Sequence, residues 1–138
     1  MTGMTEVTKG SCLCGAVAFQ ISGAFEKFFL CHCSRCRKAT GSAHAANLFS
    51  STATLTWVSG EDRIRTFKVP GTRFEKSFCI ECGSALPGLR DNGVGMIVPA
   101  GALDSSIGIR PDAHIFCASR ADWDDRLEQV QQLDGRPG

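Results

Sequence analysis

The chain of 138 residues carries eight cysteines, a formal net charge of +1 and an apolar fraction of 43%. That length suits one domain with a sizeable core, and the near-neutral balance, without blocks of like charge, excludes a general electrostatic footprint for nucleic acid or anionic membrane. Met1 to Lys9 lacks the basic-then-apolar pattern of a secretion signal and no run is apolar for long enough to span a bilayer, so the expected setting is the reducing cytoplasm.

Residues 1–9 read as a flexible N-terminal tail. Ala16 to Ser22 then alternates, with Val17, Phe19 and Ile21 on one face, as a half-buried strand does. Strand-like runs follow at Phe28 to Cys31, Ala46 to Phe49 and Ala53 to Val58, the last with Leu55 and Trp57 two apart. Others span Arg63 to Val69, Arg73 to Phe78, Val94 to Pro99 and Ala113 to Ala118, separated by glycine-containing turns. The close spacing predicts an all-β domain over residues 10–133 built as an antiparallel meander. Trp123, Leu127 and Val130 recur at helical spacing and predict a short C-terminal helix; residues 134–138 form a second tail.

Seven of the cysteines fall into three groups: Cys12-Leu13-Cys14-Gly15, Cys31-His32-Cys33-Ser34-Arg35-Cys36 and Cys79-Ile80-Glu81-Cys82-Gly83. A disulfide framework needs an oxidising compartment, and a thioredoxin-like redox pair needs a strand and helix order that this chain lacks. Metal chemistry accounts for the spacing better. Zinc takes about four ligands, and closely spaced cysteines on tight turns deliver two sulfurs to one side of the ion. Gly15 and Gly83 permit the positive φ or close backbone approach that such turns require. Two pairs complete one closed site and leave a triplet, and three protein ligands with an exchangeable fourth position are the arrangement of catalytic zinc. Spacing leaves the pairing open, and Cys117 or His32 in the fourth position would close the second site too. Three thiolates make zinc a mild Lewis acid, better suited to holding a further sulfur than to generating hydroxide. A thiol substrate that loses its proton there and adds to a small carbonyl compound is the expected chemistry.

The segments Gly10-Ser11-Cys12-Leu13-Cys14-Gly15-Ala16-Val17, Cys31-His32-Cys33-Ser34-Arg35-Cys36-Arg37-Lys38 with Gly41-Ser42, and Phe78-Cys79-Ile80-Glu81-Cys82-Gly83-Ser84 carry a resemblance. So do Ala100-Gly101-Ala102-Leu103-Asp104, Pro111, His114-Ile115-Phe116 and Ser119-Arg120-Ala121-Asp122-Trp123. Together they resemble the glutathione-dependent formaldehyde-activating enzyme family in its shorter branch. The resemblance implies a β-tent of antiparallel sheets clamped by a structural zinc on Cys12, Cys14, Cys79 and Cys82. It also implies a second, more labile catalytic zinc on Cys31, Cys33 and Cys36. The implied activity is a carbon–sulfur lyase acting on glutathione–aldehyde adducts of the S-hydroxymethylglutathione type, with glutathione and a small aldehyde as partners. The competing reading is a non-catalytic, zinc-stabilised binding module of the same fold.

The remaining polar residues have plainer expected roles. Cys117, in a strand pattern with Ala113 and Ile115, reads as a buried inert thiol. His32 points away from its flanking ligands into a supporting or solvated position, and His44 and His114 read as structural hydrogen-bonders. Arg35, Arg37 and Lys38 surround the triplet, where cations lower thiolate pKa values or meet ligand carboxylates, against the plainer reading of a solvated face. Ser42 and Ser84 read as turn residues, and Trp123 as the anchor of the final helix.

Overall fold

A computed structural model describes residues 6–90 and 95–138. The tail expected at Met1 to Thr5 and the strand start expected at Val94 lie outside the described residues. In chain order the elements are β1 (Val7–Ser11), β2 (Ala18–Ser22), β3 (Lys27–Cys31), α1 (Ser34–Thr40), β4 (Ala45–Ser50) and β5 (Thr54–Ser59). They continue with β6 (Ile64–Lys68), β7 (Glu75–Cys79), β8 (Ala85–Leu86), β9 (Gly88–Leu89), β10 (Met96–Pro99) and β11 (Ala113–Ile115). The chain is therefore mostly β, as its alternation predicts, but it divides into three sheets ordered β1-β2-β5, β11-β3-β4-β10-β9 and β6-β7-β8.

The first sheet begins inside the expected tail. Val7, Thr8 and Lys9 pair antiparallel with Ser22, Ile21 and Gln20. The stretch has no apolar alternation because its inward positions are Thr8 and Gly10. Gly10 sits opposite Phe19, whose ring fills the space that a side chain there would need. A Cβ on Gly10 would lie 2.2 Å from Phe19 Cζ and 2.8 Å from the Ala102 carbonyl oxygen. Gly10→Ala is accordingly expected to destabilise the fold by about 1–3 kcal/mol through overpacking, read as a lower denaturation midpoint at unchanged m-value.

The core joins the first two sheets through Val17, Phe19, Ile21, Phe28, Leu48 and Met96, all buried. The second sheet corrects the expectation of a purely antiparallel meander: β11 runs parallel to β3, with Ala113, His114 and Ile115 opposite Phe29, Leu30 and Cys31. Asp112 seats it. Its backbone N–H donates to the Phe28 carbonyl at 2.7 Å, and its Oδ2 accepts the Phe28 N–H at 2.8 Å.

Two further expectations are corrected near the C-terminus. The strand predicted to continue to Ala118 stops at Ile115, because Phe116 takes a left-handed φ of 56° and turns the chain. Cys117 is consequently exposed, not buried. The predicted C-terminal helix is reduced to one 3-10 turn, Leu127–Gln129, preceded by Arg126 at a left-handed φ of 50°. Helices this short depend on burying an apolar stripe, and Trp123, Leu127 and Val130 are all exposed. Trp123 therefore anchors no helix.

Candidate metal centre

Two turns of the same design build the first cysteine group. One leaves β1 and the other leaves β7, and each ends in a glycine whose N–H returns to the first cysteine's carbonyl: Gly15 to Cys12 at 3.1 Å and Gly83 to Cys79 at 2.7 Å. Open space surrounds both glycines, whose φ values are 82° and 76°, so the left-handed backbone, not a close approach, is what requires glycine. The turns bring the sulfurs of Cys12, Cys14, Cys79 and Cys82 within 4.8 Å of one another. Cys12 and Cys14 Sγ are 3.6 Å apart, Cys14 and Cys79 Sγ 3.9 Å. Tetrahedral sulfurs at about 2.3 Å from a zinc ion stand about 3.8 Å apart, so this donor set fits zinc.

The group's electrostatics favour a cation. Ser84 Oγ accepts the Leu13 N–H at 2.8 Å and lies 3.3 Å from Cys82 Sγ. Ser84, through its hydroxyl and backbone N–H, lowers the Cys82 thiol to about 5. Burial pushes Cys12 upward, but the Val17 N–H, 3.2 Å from its sulfur, and the neighbouring thiols bring it below the ordinary range. Cys14 accepts from the Ala16 backbone, yet the proton it shares with Cys12 raises it to about 11. Ser84, expected as a turn residue, thus also supports a sulfur.

The second group forms where β3 passes into α1. Cys33 is the N-cap of that helix, its sulfur accepting the Cys36 N–H at 3.3 Å, and Gly41 closes the helix in the left-handed region at φ 67°. The helix escaped sequence reading because only Cys36 of its seven residues is buried, so it carries no apolar periodicity. Cys31, Cys33 and Cys36 bring their sulfurs within 4.8 Å of one another in a half-buried nest that also includes Ala45, Phe74 and Ile115. Burial pushes Cys31 and Cys36 up; at Cys36 both neighbouring sulfurs add to the effect, while at Cys31 the Cys33 backbone N–H and the Cys36 thiol partly offset it. At Cys33 burial is overcome by backbone N–H groups of the helix start and by the neighbouring thiols, and the thiol is lowered. Three thiolates cannot coexist here without a cation, and sulfur donors of this kind suit zinc. Neither candidate for closing this site joins it: among the described residues, the clustered donors include neither His32 nor Cys117. All eight cysteines are free thiols.

A cleft of about 750 Å³ is lined by Cys12, Leu13 and Ser84 from the first group's turns and by Thr40, Ala45 and Asn47; no triplet cysteine is in its wall, and it adjoins that group through Ala45, which packs against Cys31 and Cys36. A smaller cavity of about 370 Å³, lined by residues such as Trp57, Leu89 and Met96, has no cysteine or titratable side chain in its wall. Of the cations near the triplet, Arg35 and Lys38 are exposed and Arg37 is half-buried.

Residues 7–119 match the model of the family described as glutathione-dependent formaldehyde-activating enzyme. The chain belongs to that family. A Halomonas elongata protein carrying the provisional name glutathione-dependent formaldehyde-activating enzyme is 33% identical over 126 residues, covering 83% of this chain and 78% of its own. A crystal structure of a Rhodobacter sphaeroides protein shares the fold, with a TM-score of 0.52 at 24% identity, over 77% of this chain and 98% of the other. The glutathione-dependent formaldehyde-activating enzymes are an enzyme family, so the likeness supports an enzymatic role. No helix among the described residues is long and apolar enough to cross a membrane.

One element of the site region was not legible in advance. His32 is buried beneath the triplet, as a supporting residue would be, but its partners are His114, 82 positions away, and Asp124. No spacing rule connects residues so far apart.

Proposed function

We propose that the chain catalyses reversible carbon–sulfur bond formation between a thiol such as glutathione and a small aldehyde, as a lyase of S-hydroxymethylglutathione-type adducts. The observation that carries this reading is the group of three sulfurs with no fourth donor beside it among the described residues. Cys31, Cys33 and Cys36 would hold one zinc ion, and Cys12, Cys14, Cys79 and Cys82 a structural one, within a single domain that includes the whole of β1. When bound at the triplet, zinc supplies a Lewis acid that favours the deprotonated form of a substrate thiol.

The chain's own residues do the rest. The end of β3 at Cys31 and the helix start at Cys33 to Cys36 hold the three sulfurs within 4.8 Å of one another, which fixes where a thiol can approach. The cleft that adjoins the triplet through Ala45 is large enough for a tripeptide-sized thiol. Arg35 and Lys38, exposed on the same short helix, offer charge-assisted hydrogen bonds to carboxylates such as those of glutathione. In the forward direction the substrate S–H bond is lost, a C–S bond forms to the aldehyde carbon, and the proton ends on the former carbonyl oxygen. The reverse step releases aldehyde and thiol. A reducing, cytoplasmic setting suits eight free cysteines.

Exchange-resolved NMR of glutathione with formaldehyde, with and without the zinc-loaded protein, tests the reading. Exchange faster than the uncatalysed background is expected. No acceleration with formaldehyde or any other small aldehyde, together with a single zinc indifferent to glutathione, would leave the binding module as the better description.

A further inference from the structure

His32 stands between two of the three clustered cysteines and is only 2% exposed. Three contacts hold it. Its backbone N–H donates to the Ile115 carbonyl at 2.9 Å, its Nε2 lies 2.8 Å from His114 Nδ1, and its Nδ1 lies 3.0 Å from Asp124 Oδ2. Neighbouring residues on a strand point to opposite faces. Since Cys31 pairs with Ile115 and Leu30 with His114, the imidazoles lie on the face of the sheet away from the sulfurs. His44 completes this cluster, its ring centroid 5.2 Å from that of His32. The imidazoles are thus not donors to the triplet but packing beneath it.

Asp124 is the unexpected member. It lies in a stretch without α-helix or strand, next to an exposed Trp123, yet its side chain is only 13% exposed. Burying a carboxylate is costly unless it is paired. Apart from each other, Asp124 Oδ2 and His32 Nδ1 have no polar partner among the described residues, and the contact between them lies off the N–H axis. Each atom therefore depends on the other.

We propose that Asp124 is a positioning residue for the three-cysteine group, acting through His32. A ring held at both nitrogens and through its backbone immobilises the link between Cys31 and Cys33, and so sets the spacing of their sulfurs. A carboxylate only accepts, which puts the His32 proton on Nδ1; Nε2 then accepts, so His114 donates from Nδ1. The inference rests on the reading that Cys31, Cys33 and Cys36 hold zinc.

The full chain loaded with zinc is compared with D124A, D124N and a control at the exposed neighbouring carboxylate, D125N. Zinc release to a chelator should show a slow phase from the four-cysteine group and a fast phase from the triplet. In D124A the fast phase should accelerate about 10–100-fold, the usual effect of losing a residue that supports metal ligands, while the slow phase and both phases of D125N stay unchanged. Imidazole nitrogen NMR should find the Nδ1–H tautomer at both His32 and His114, and in D124N, whose amide can donate, the Nε2–H tautomer at both. An unchanged fast phase in D124A, equal acceleration of both phases, or unchanged tautomers in D124N overturns the proposal. If the wild-type chain takes up a single zinc, the functional reading above falls; the tautomers then decide the role of Asp124 alone, and their persistence in D124N overturns it.

Discussion

Cys79→Ser is expected to abolish cooperative folding near room temperature, and a strong chelator is expected to do the same to the unmodified chain. Cys79 has no exposed surface, lies in the main core and ends the strand that carries half of the first cysteine group. Its partners come from residues 12 and 14, so the group ties the first sheet to the third across 65 positions of sequence. A structural zinc in a small domain contributes on the order of 10 kcal/mol or more, comparable with the whole stability of an ordinary domain of about 5–15 kcal/mol. A buried serine hydroxyl without a partner adds about 1–3 kcal/mol to the loss. Circular dichroism melts with and without chelator, alongside zinc quantification, check this. A C79S chain with the wild-type melting temperature would show that the group is no clamp.

Cys33→Ser should have the opposite profile: an intact fold with its chemistry gone. Cys33 caps α1 by accepting the Cys36 N–H, and serine is among the preferred N-cap residues. The substitution therefore keeps the helix while removing one of three thiolates. The expected result is one zinc per chain instead of two, a melting temperature within a few degrees of wild type, and at least about 10³-fold slower thiol–aldehyde exchange, since a Lewis-acid site contributes several kcal/mol to such a step. Elemental analysis and the NMR exchange assay measure both sides. Undiminished exchange in C33S would move the chemistry away from the triplet.

The two predictions differ because the two groups sit differently in the fold, and that difference was only half visible in the residues. The grouping Cys-x-Cys, Cys-x-Cys-x-x-Cys and Cys-x-x-Cys, each pair followed by glycine, was legible because a metal-binding turn is a local object: its ligand spacing and its left-handed residue lie within five positions. The strands at Ala18–Ser22 and Thr54–Ser59 were legible for the same reason, since alternation with period two needs no distant partner. Where local pattern and tertiary pairing part company, reading along the chain failed. Val7–Ser11 is a strand because Phe19 packs over Gly10, a contact that the polar run Val-Thr-Lys-Gly-Ser does not announce. The expected C-terminal helix had the right periodicity but no surface to bury it.

The sequence by itself determined that seven sulfurs would gather in three local groups, because turn chemistry is written in adjacent residues. Which pair joined which, that Cys117 stays outside and exposed, and that Asp124 and His114 meet His32 beneath the triplet were decided by the tertiary structure. Those contacts depend on β11 lying parallel to β3 and on a loop folding back across the sheet end. Such arrangements are held by burial and by pairing between distant strands, whose free energy depends on what surrounds each residue in space and not on its neighbours in the chain.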